Sequence, residues 1–178
     1  PSSLEELGYE SFSCCWQLNK VKFNDSPCKI GSYCFNNDSN LVSVDLGDKI
    51  ISFSYYVFSW CNSLKFITIP SSVNEIDSNA FTNSSIERIS LPEDNQYYCI
   101  VNNVLYDKEM TTIVYIPINY SGEFIVGKNI NYMDMYKLNS SFISSYIVEE
   151  GKVYIDDLTD FKKRVTILEK YKIKAQGD

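Results

Sequence analysis

The sequence contains no histidine. That absence removes the commonest general base and the commonest metal ligand. Ser-His-Asp and Cys-His catalysis, and every His-containing zinc site, are therefore excluded within these 178 residues. Six cysteines stand at positions 14, 15, 28, 34, 61 and 99, yet none forms a C-x-x-C, so the paired spacing of a Cys₄ site is missing too. No apolar run approaches the roughly eighteen residues that a membrane helix needs, which speaks against direct membrane insertion. Dense basic stretches are equally scarce. Lys162-Lys163-Arg164 sits among acidic neighbours, and the net charge is −7, so nucleic acid is not an expected partner. No cofactor is implied, and no enzymatic activity is expected.

What the chain has in quantity is apolar and aromatic surface. Hydrophobic residues make up 44%, with fourteen Tyr and ten Phe, enough for a folded core. These residues repeat. Phe12, Phe35, Phe58 and Phe81 are spaced 23 apart, and five residues earlier run Leu7, Ile30, Phe53 and Ile76. Ser11, Cys34, Val57 and Ala80 precede each Phe. Three more rows share the phase: Leu18, Leu41, Leu64, Ile86; then Val21, Val44, Ile67, Ile89; then Phe23, Leu46, Ile69, Leu91. A six-position code at fixed period is the mark of a repeat array, which an independently folded β-sandwich does not show.

Each period reads as one coil. In Leu64-Lys65-Phe66-Ile67-Thr68-Ile69 the alternate residues Leu64, Ile67 and Ile69 point inward, as on a short strand. Pro70 ends the strand, because it has no N–H for the ladder. Ser71-Ser72 turns the chain, Val73 and Ile76 return to the core, and Ala80-Phe81 closes the opposite wall. A single coil cannot bury its own edges, and stacked coils share one core. The expected fold is a leucine-rich-repeat solenoid, mostly β, with one short parallel strand per coil and turns or short 3₁₀ or helical segments on the return side.

Four regular coils fill 1–95. Residues 96–117 break the register and read as a β-hairpin insertion projecting from the solenoid, with strands at Tyr98–Val101, Val104–Tyr106 and Ile113–Ile116. Asn102-Asn103 provides a tight turn, since Asn tolerates positive φ. The code resumes over 118–155: Val148 lies 22 after Val126, and Ile155 seven after Val148. Residues 156–178 read as a terminal coil or cap. Leu158, Phe161, Val165 and Leu168 have helical spacing, yet Val165 and Leu168 also lie 22 after Ile143 and Tyr146, which favours a final strand followed by a short helical cap. Pro1-Ser2-Ser3-Leu4 aligns with Pro70-Ser71-Ser72-Val73, 69 residues on. The single domain spanning 1–178 is thus expected to be a piece of a longer array with an open first edge.

The coil Cys61-Asn62-Ser63-Leu64 through Ala80-Phe81 resembles the BspA-like, or Treponema-pallidum-type, class of leucine-rich repeats, with its pattern C-x-x-L-x-x-I-x-I-P-x-S-V-x-x-I-x-x-x-A-F. The block Asn103-Val104-Leu105-Tyr106 with Ile113-Val114-Tyr115-Ile116-Pro117 is similar to an interruption common in that family. Earlier coils depart from the pattern: Asp38 stands where Cys61 stands, and Val57 where Ala80 stands. The resemblance implies a non-enzymatic recognition solenoid, part of a cell-surface or secreted adhesion protein. It implies a protein partner, such as a host matrix or cell-surface protein, or a glycan. A cytoplasmic scaffold for an endogenous protein is the alternative.

Solenoids bind through outward strand side chains. The candidates are Lys20, Lys22, Ser43, Asp45, Lys65, Phe66, Thr68, Glu87, Arg88 and Ser90, with Asn19 and Val42 beside them and Ser144, Ser145 and Ile147 further on. The hairpin tip near Asn102–Met110 is a second candidate. Tyr55, Tyr56 and Trp60 on the return side read as core or ridge packing rather than a carbohydrate platform. Glycosylation sequons at Asn37, Asn83, Asn119 and Asn139 favour a secretory route, with Asn24 discounted for the nearby Pro27. Several of the six cysteines sit where a small buried residue is wanted and read as reduced packing residues. Adjacent carboxylates such as Glu5-Glu6 point to different sides and do not form an acid–base pair.

Overall fold

A computed structural model of the chain describes residues 3–24, 26–130, 132–133, 143–148, 154–155 and 174–175, with side chains up to Ile130 and at Ile143. The architecture is a mostly β solenoid of about four turns, with no helix among the described residues. Each regular coil contributes two short strands. The first set, β2 (Lys20–Lys22), β4 (Ser43–Asp45), β6 (Phe66–Thr68) and β8 (Arg88–Ser90), pairs in parallel as β2 with β4 and β6 with β8. Pairing joins Val21 to Val44 and Ile67 to Ile89, members of one sequence row.

The second set, β1 (Glu6–Leu7), β3 (Cys28–Ile30), β5 (Ile50–Phe53) and β7 (Glu75–Ile76), forms a four-stranded parallel sheet in which Leu7, Ile30, Phe53 and Ile76 are register neighbours. The return side carries a third ladder. Phe12 N–H donates to Cys34 O at 2.9 Å, Phe35 N–H to Val57 O at 3.0 Å, and Phe58 N–H to Ala80 O at 2.8 Å. This side consists of hydrogen-bonded turns rather than the short helices the sequence allowed. The reason is visible in the backbone: Tyr33 and Asn37, like Tyr56 and Trp60, take left-handed φ near 60° four residues apart, which stops any right-handed helix.

The core lies where the rows predict. Phe35, Phe58 and Phe81 are completely buried, and with Phe12 they stack as a spine with ring centroids 5.5, 5.5 and 6.0 Å apart and planes within 11° of parallel. Leu41, Leu64, Ile67, Ile69 and Ile86 fill the wall behind the strands.

The segment after Leu91 forms the strands and the turn expected of it, and departs from expectation in its placement alone. It is a three-stranded antiparallel sheet of β9 (Tyr98–Val101), β10 (Val104–Asp107) and β11 (Ile113–Tyr115), and the Asn102-Asn103 turn has φ of 51° and 66°. It does not project. Along β10, Leu105 joins the core of the regular coils while Val104 and Tyr106 join a second core with Phe124, Val126 and Ile130. Three consecutive apolar residues bury both faces of one strand, so the sheet is a wall between two cores.

Tyr115 at the end of β11 meets Phe81 edge-on at 5.5 Å and so ends the phenylalanine spine. Beyond it, β12 (Gly122–Val126) pairs in parallel with β14 (Ile143–Val148), with Val126 opposite Val148. Two shorter strands, β13 (Tyr132–Met133) and β15 (Tyr154–Ile155), pair Met133 with Ile155, and β16 (Lys174–Ala175) adds to β15. The final strand expected at Val165 and Leu168 lies outside the described residues, as does the helical spacing over Leu158–Leu168.

Candidate functional site

Alternation on the strands puts Ile67 or its equivalent inward and its two neighbours outward. The ten candidate residues accordingly come together on one face, all exposed except the half-buried Ser90. Neighbouring coils place them side by side as lateral pairs. Lys22 Nζ lies 2.9 Å from Asp45 Oδ2, and Lys65 Nζ 3.4 Å from Glu87 Oε1. Thr68 and Ser90 hydroxyls are 2.9 Å apart, and the Arg88 guanidinium sits 5.9 Å over the Phe66 ring. The Lys22 ammonium holds the Asp45 carboxyl below the usual carboxylate range. Val42 and Phe66 remain exposed, giving the face an apolar patch between charged pairs. The side chains of Ser144, Ser145 and Ile147 lie outside the described residues.

On the return side a cleft of about 490 Å³ is lined by Tyr33, Asn36, Asn37, Tyr56, Ser59 and Trp60. The sequence had pointed to Tyr56 and Trp60 there but not to the other four. Their signal was available: Trp60 shares a 23-residue row with Asn37, and Tyr56 with Tyr33. The rings do pack as a ridge, since Tyr33 stacks on Tyr56 at 5.3 Å and Tyr55 abuts Tyr56 at 4.0 Å. At the first coil, Leu4, Leu7, Phe12, Leu18 and Val21 line an apolar cleft of about 280 Å³, and Phe12 is far more exposed than its spine partners.

The cysteines are all unpaired. Cys28, Cys34 and Cys61 are buried, and burial pushes the Cys34 and Cys61 thiols up to about 12. Such thiols stay protonated at neutral pH and are poor nucleophiles. Among the described residues no group of three or more Cys, Asp or Glu is placed to hold a metal ion. The hairpin tip offers Asn102 and Asn103 to solvent, though Asn103 Nδ2 donates back to Glu87 O at 3.1 Å. Of the sequons, Asn83 and Asn119 are exposed, Asn37 is half-buried with its amide against Cys14 Sγ, and Asn139 lies outside the described residues.

A parallel solenoid that exposes a cross-paired strand face defines a leucine-rich-repeat interaction scaffold. The BspA type leucine rich repeat region matches residues 1–115 in six copies, and the chain belongs to that family. Three solved structures share the fold. The pneumococcal vaccine antigen PcpA superposes with a TM-score of 0.78 at 22% identity, over 88% of this chain and 40% of that one. A leucine-rich repeat protein from Eubacterium ventriosum gives 0.64 at 19% identity, covering 99% and 59%. A leucine rich cell surface protein from Faecalibacterium prausnitzii gives 0.51 at 20%, covering 83% and 53%. The chain thus spans about half the length of these proteins. No curated protein matches its sequence. No helix among the described residues is long and apolar enough to cross a membrane.

Proposed function

We propose that this chain is a non-enzymatic recognition module of a surface or secreted protein, and that it holds a protein partner on the strand face. The observation that supports this most is the set of lateral pairs. Arg88 over Phe66, Lys22 with Asp45, Lys65 with Glu87 and Thr68 with Ser90 gather charge, hydroxyls and an aromatic ring side by side on one exposed face. Phe and Arg are enriched at interfaces, and Arg among the residues that carry most of the binding energy. The surface location is supported by the pneumococcal antigen and the F. prausnitzii cell surface protein, which share the fold. Binding is measured on immobilised extracellular-matrix proteins and on cultured cells. Phe66→Ala with Arg88→Ala is expected to abolish whatever binding the parent chain shows; unchanged binding sinks the reading.

One observation favours a second reading, an intracellular scaffold using the same face. All six thiols are free and Cys14 is exposed, an arrangement that suits a reducing compartment. Mass spectrometry of protein from its native source separates the two. Glycans on Asn83 and Asn119 support the secretory route; bare asparagines with six reduced thiols support the scaffold.

A further inference from the structure

We propose that the return-side cleft of the second and third coils binds a neutral carbohydrate, through a surface distinct from the strand face. The repeat supplies its own comparison. Cys14, Asn37, Trp60 and Asn83 form one row, and all four take left-handed φ, between 57° and 62°. Asn fills it in the second and fourth coils, as the sterics of that region favour. Trp60 is strained there, yet it is half-exposed, so neither the backbone nor the core calls for an indole. Glu10, Tyr33 and Tyr56 form a second left-handed row, with φ of 53°, 58° and 56°, and aromatics fill it in the second and third coils. Of these aromatics Trp60 alone joins the strain to solvent exposure, while Tyr33 and Tyr56 are half-buried beside it, and a strained residue that packing does not require points to function.

The lining states the ligand's chemistry. Tyr33, Asn36, Asn37, Tyr56, Ser59 and Trp60 include no charged side chain, so a phosphate, a sulfated or acidic sugar, or an organic cation finds no counter-charge. A purely apolar ligand would cover the Asn36 carboxamide without pairing it, while Asn37 Nδ2 already donates to Cys14 Sγ at 3.5 Å. A sugar satisfies both halves. The C–H face of a pyranose lies against an aromatic ring, while each carboxamide offers a donor and an acceptor to neighbouring hydroxyls. Ser59, fully buried in the cleft wall, has a hydroxyl with no hydrogen-bond partner. The stacked pair Tyr33 and Tyr56 keeps the platform rigid, and the volume of about 490 Å³ lies within the range of small-molecule sites.

The test is calorimetric titration of the whole chain with neutral cello-, chito-, manno- and galacto-oligosaccharides, with tryptophan fluorescence read in parallel. At least one series binds, and Trp60→Asn weakens it by about tenfold or more, as loss of an aromatic platform should. That variant installs the residue of two other coils, so its melting temperature does not fall. Asn36→Ala, which leaves both left-handed rows intact, weakens the same sugar and decides the matter if Trp60→Asn misfolds. Phe66→Ala leaves sugar affinity unchanged, which separates this site from the strand face. The proposal is overturned if no neutral oligosaccharide binds at millimolar concentration. It is equally overturned if only charged glycans or peptides bind, or if Asn36→Ala and a folded Trp60→Asn both keep full affinity.

Discussion

Asp38 stands in a row whose other members are Cys15, Cys61 and Ser84, and it is fully buried like Cys61. Its Oδ1 accepts the Cys15 N–H at 2.7 Å, while Oδ2 has no partner. Cys34 and Cys61 face it, and its charge helps raise their thiols. Burial pushes the Asp38 carboxyl up to about 6 from an ordinary 3.8, only partly offset by the Cys15 bond. Between roughly pH 4 and 6 the folded chain therefore keeps a proton that the unfolded chain has released, so stability falls as pH rises through that window. At neutral pH the loss is on the order of 3 kcal/mol. Asp38→Asn is expected to raise stability at pH 7.5 and to flatten that part of the pH profile. Urea titrations of both chains at pH 4 and 7.5 check it; equal midpoint shifts at both pH values would refute it. The substitution of Asp for Cys was plain in the sequence, but its missing second partner depends on what packs around it.

At the scale of elements, most of what the rows promised is present. The four Phe became a stacked spine because every coil places that residue at the same point of the return turn. How the spine ends was not legible, because Tyr115 sits 34 residues after Phe81, out of phase with the period. Its hydroxyl donates to Ile86 O at 2.9 Å and accepts from Ser84 Oγ at 3.2 Å. Tyr115→Phe keeps the ring contact and leaves Ile86 O its Ile118 N–H at 3.2 Å, but strands the Ser84 hydroxyl, at a cost of about 0.5–1.5 kcal/mol. A denaturant midpoint unchanged from the parent would show the bonds to be idle. Gly31 makes a second case. A Cβ there would stand 2.6 Å from Leu7 O, a backbone atom that cannot swing aside. Ser54 and Asp77 hold the same row one and two coils on, so the tight approach belongs to the first two coils alone. Gly31→Ala is expected to cost about 1–3 kcal/mol, as overpacking does. Thermal unfolding at the parent's midpoint would count against the close approach.

At the scale of the whole molecule, the segment read as a projecting hairpin turns out to join two cores. Polar turns at Asn102-Asn103 and Asp107-Lys108-Glu109 gave it the look of a surface loop. The run Val104-Leu105-Tyr106 carried the contrary signal, since an exposed hairpin alternates polar with apolar residues. Coupling follows from that placement. A solenoid's stability is close to a sum over neighbouring units, so a wall shared by two cores sets whether they unfold together. Leu105 packs among the regular coils, Val104 and Tyr106 against Phe124 and Val126. Leu105→Ala is expected to cost about 2–5 kcal/mol, although it touches only the first core. If the sheet transmits the loss, amide exchange by mass spectrometry quickens in Gly122–Val126 as well as in Phe66–Thr68. Val104→Ala should show the mirror image, loosening Phe66–Thr68 from the other side. Should each variant quicken exchange on its own side only, the two cores are independent, and the sheet merely separates them.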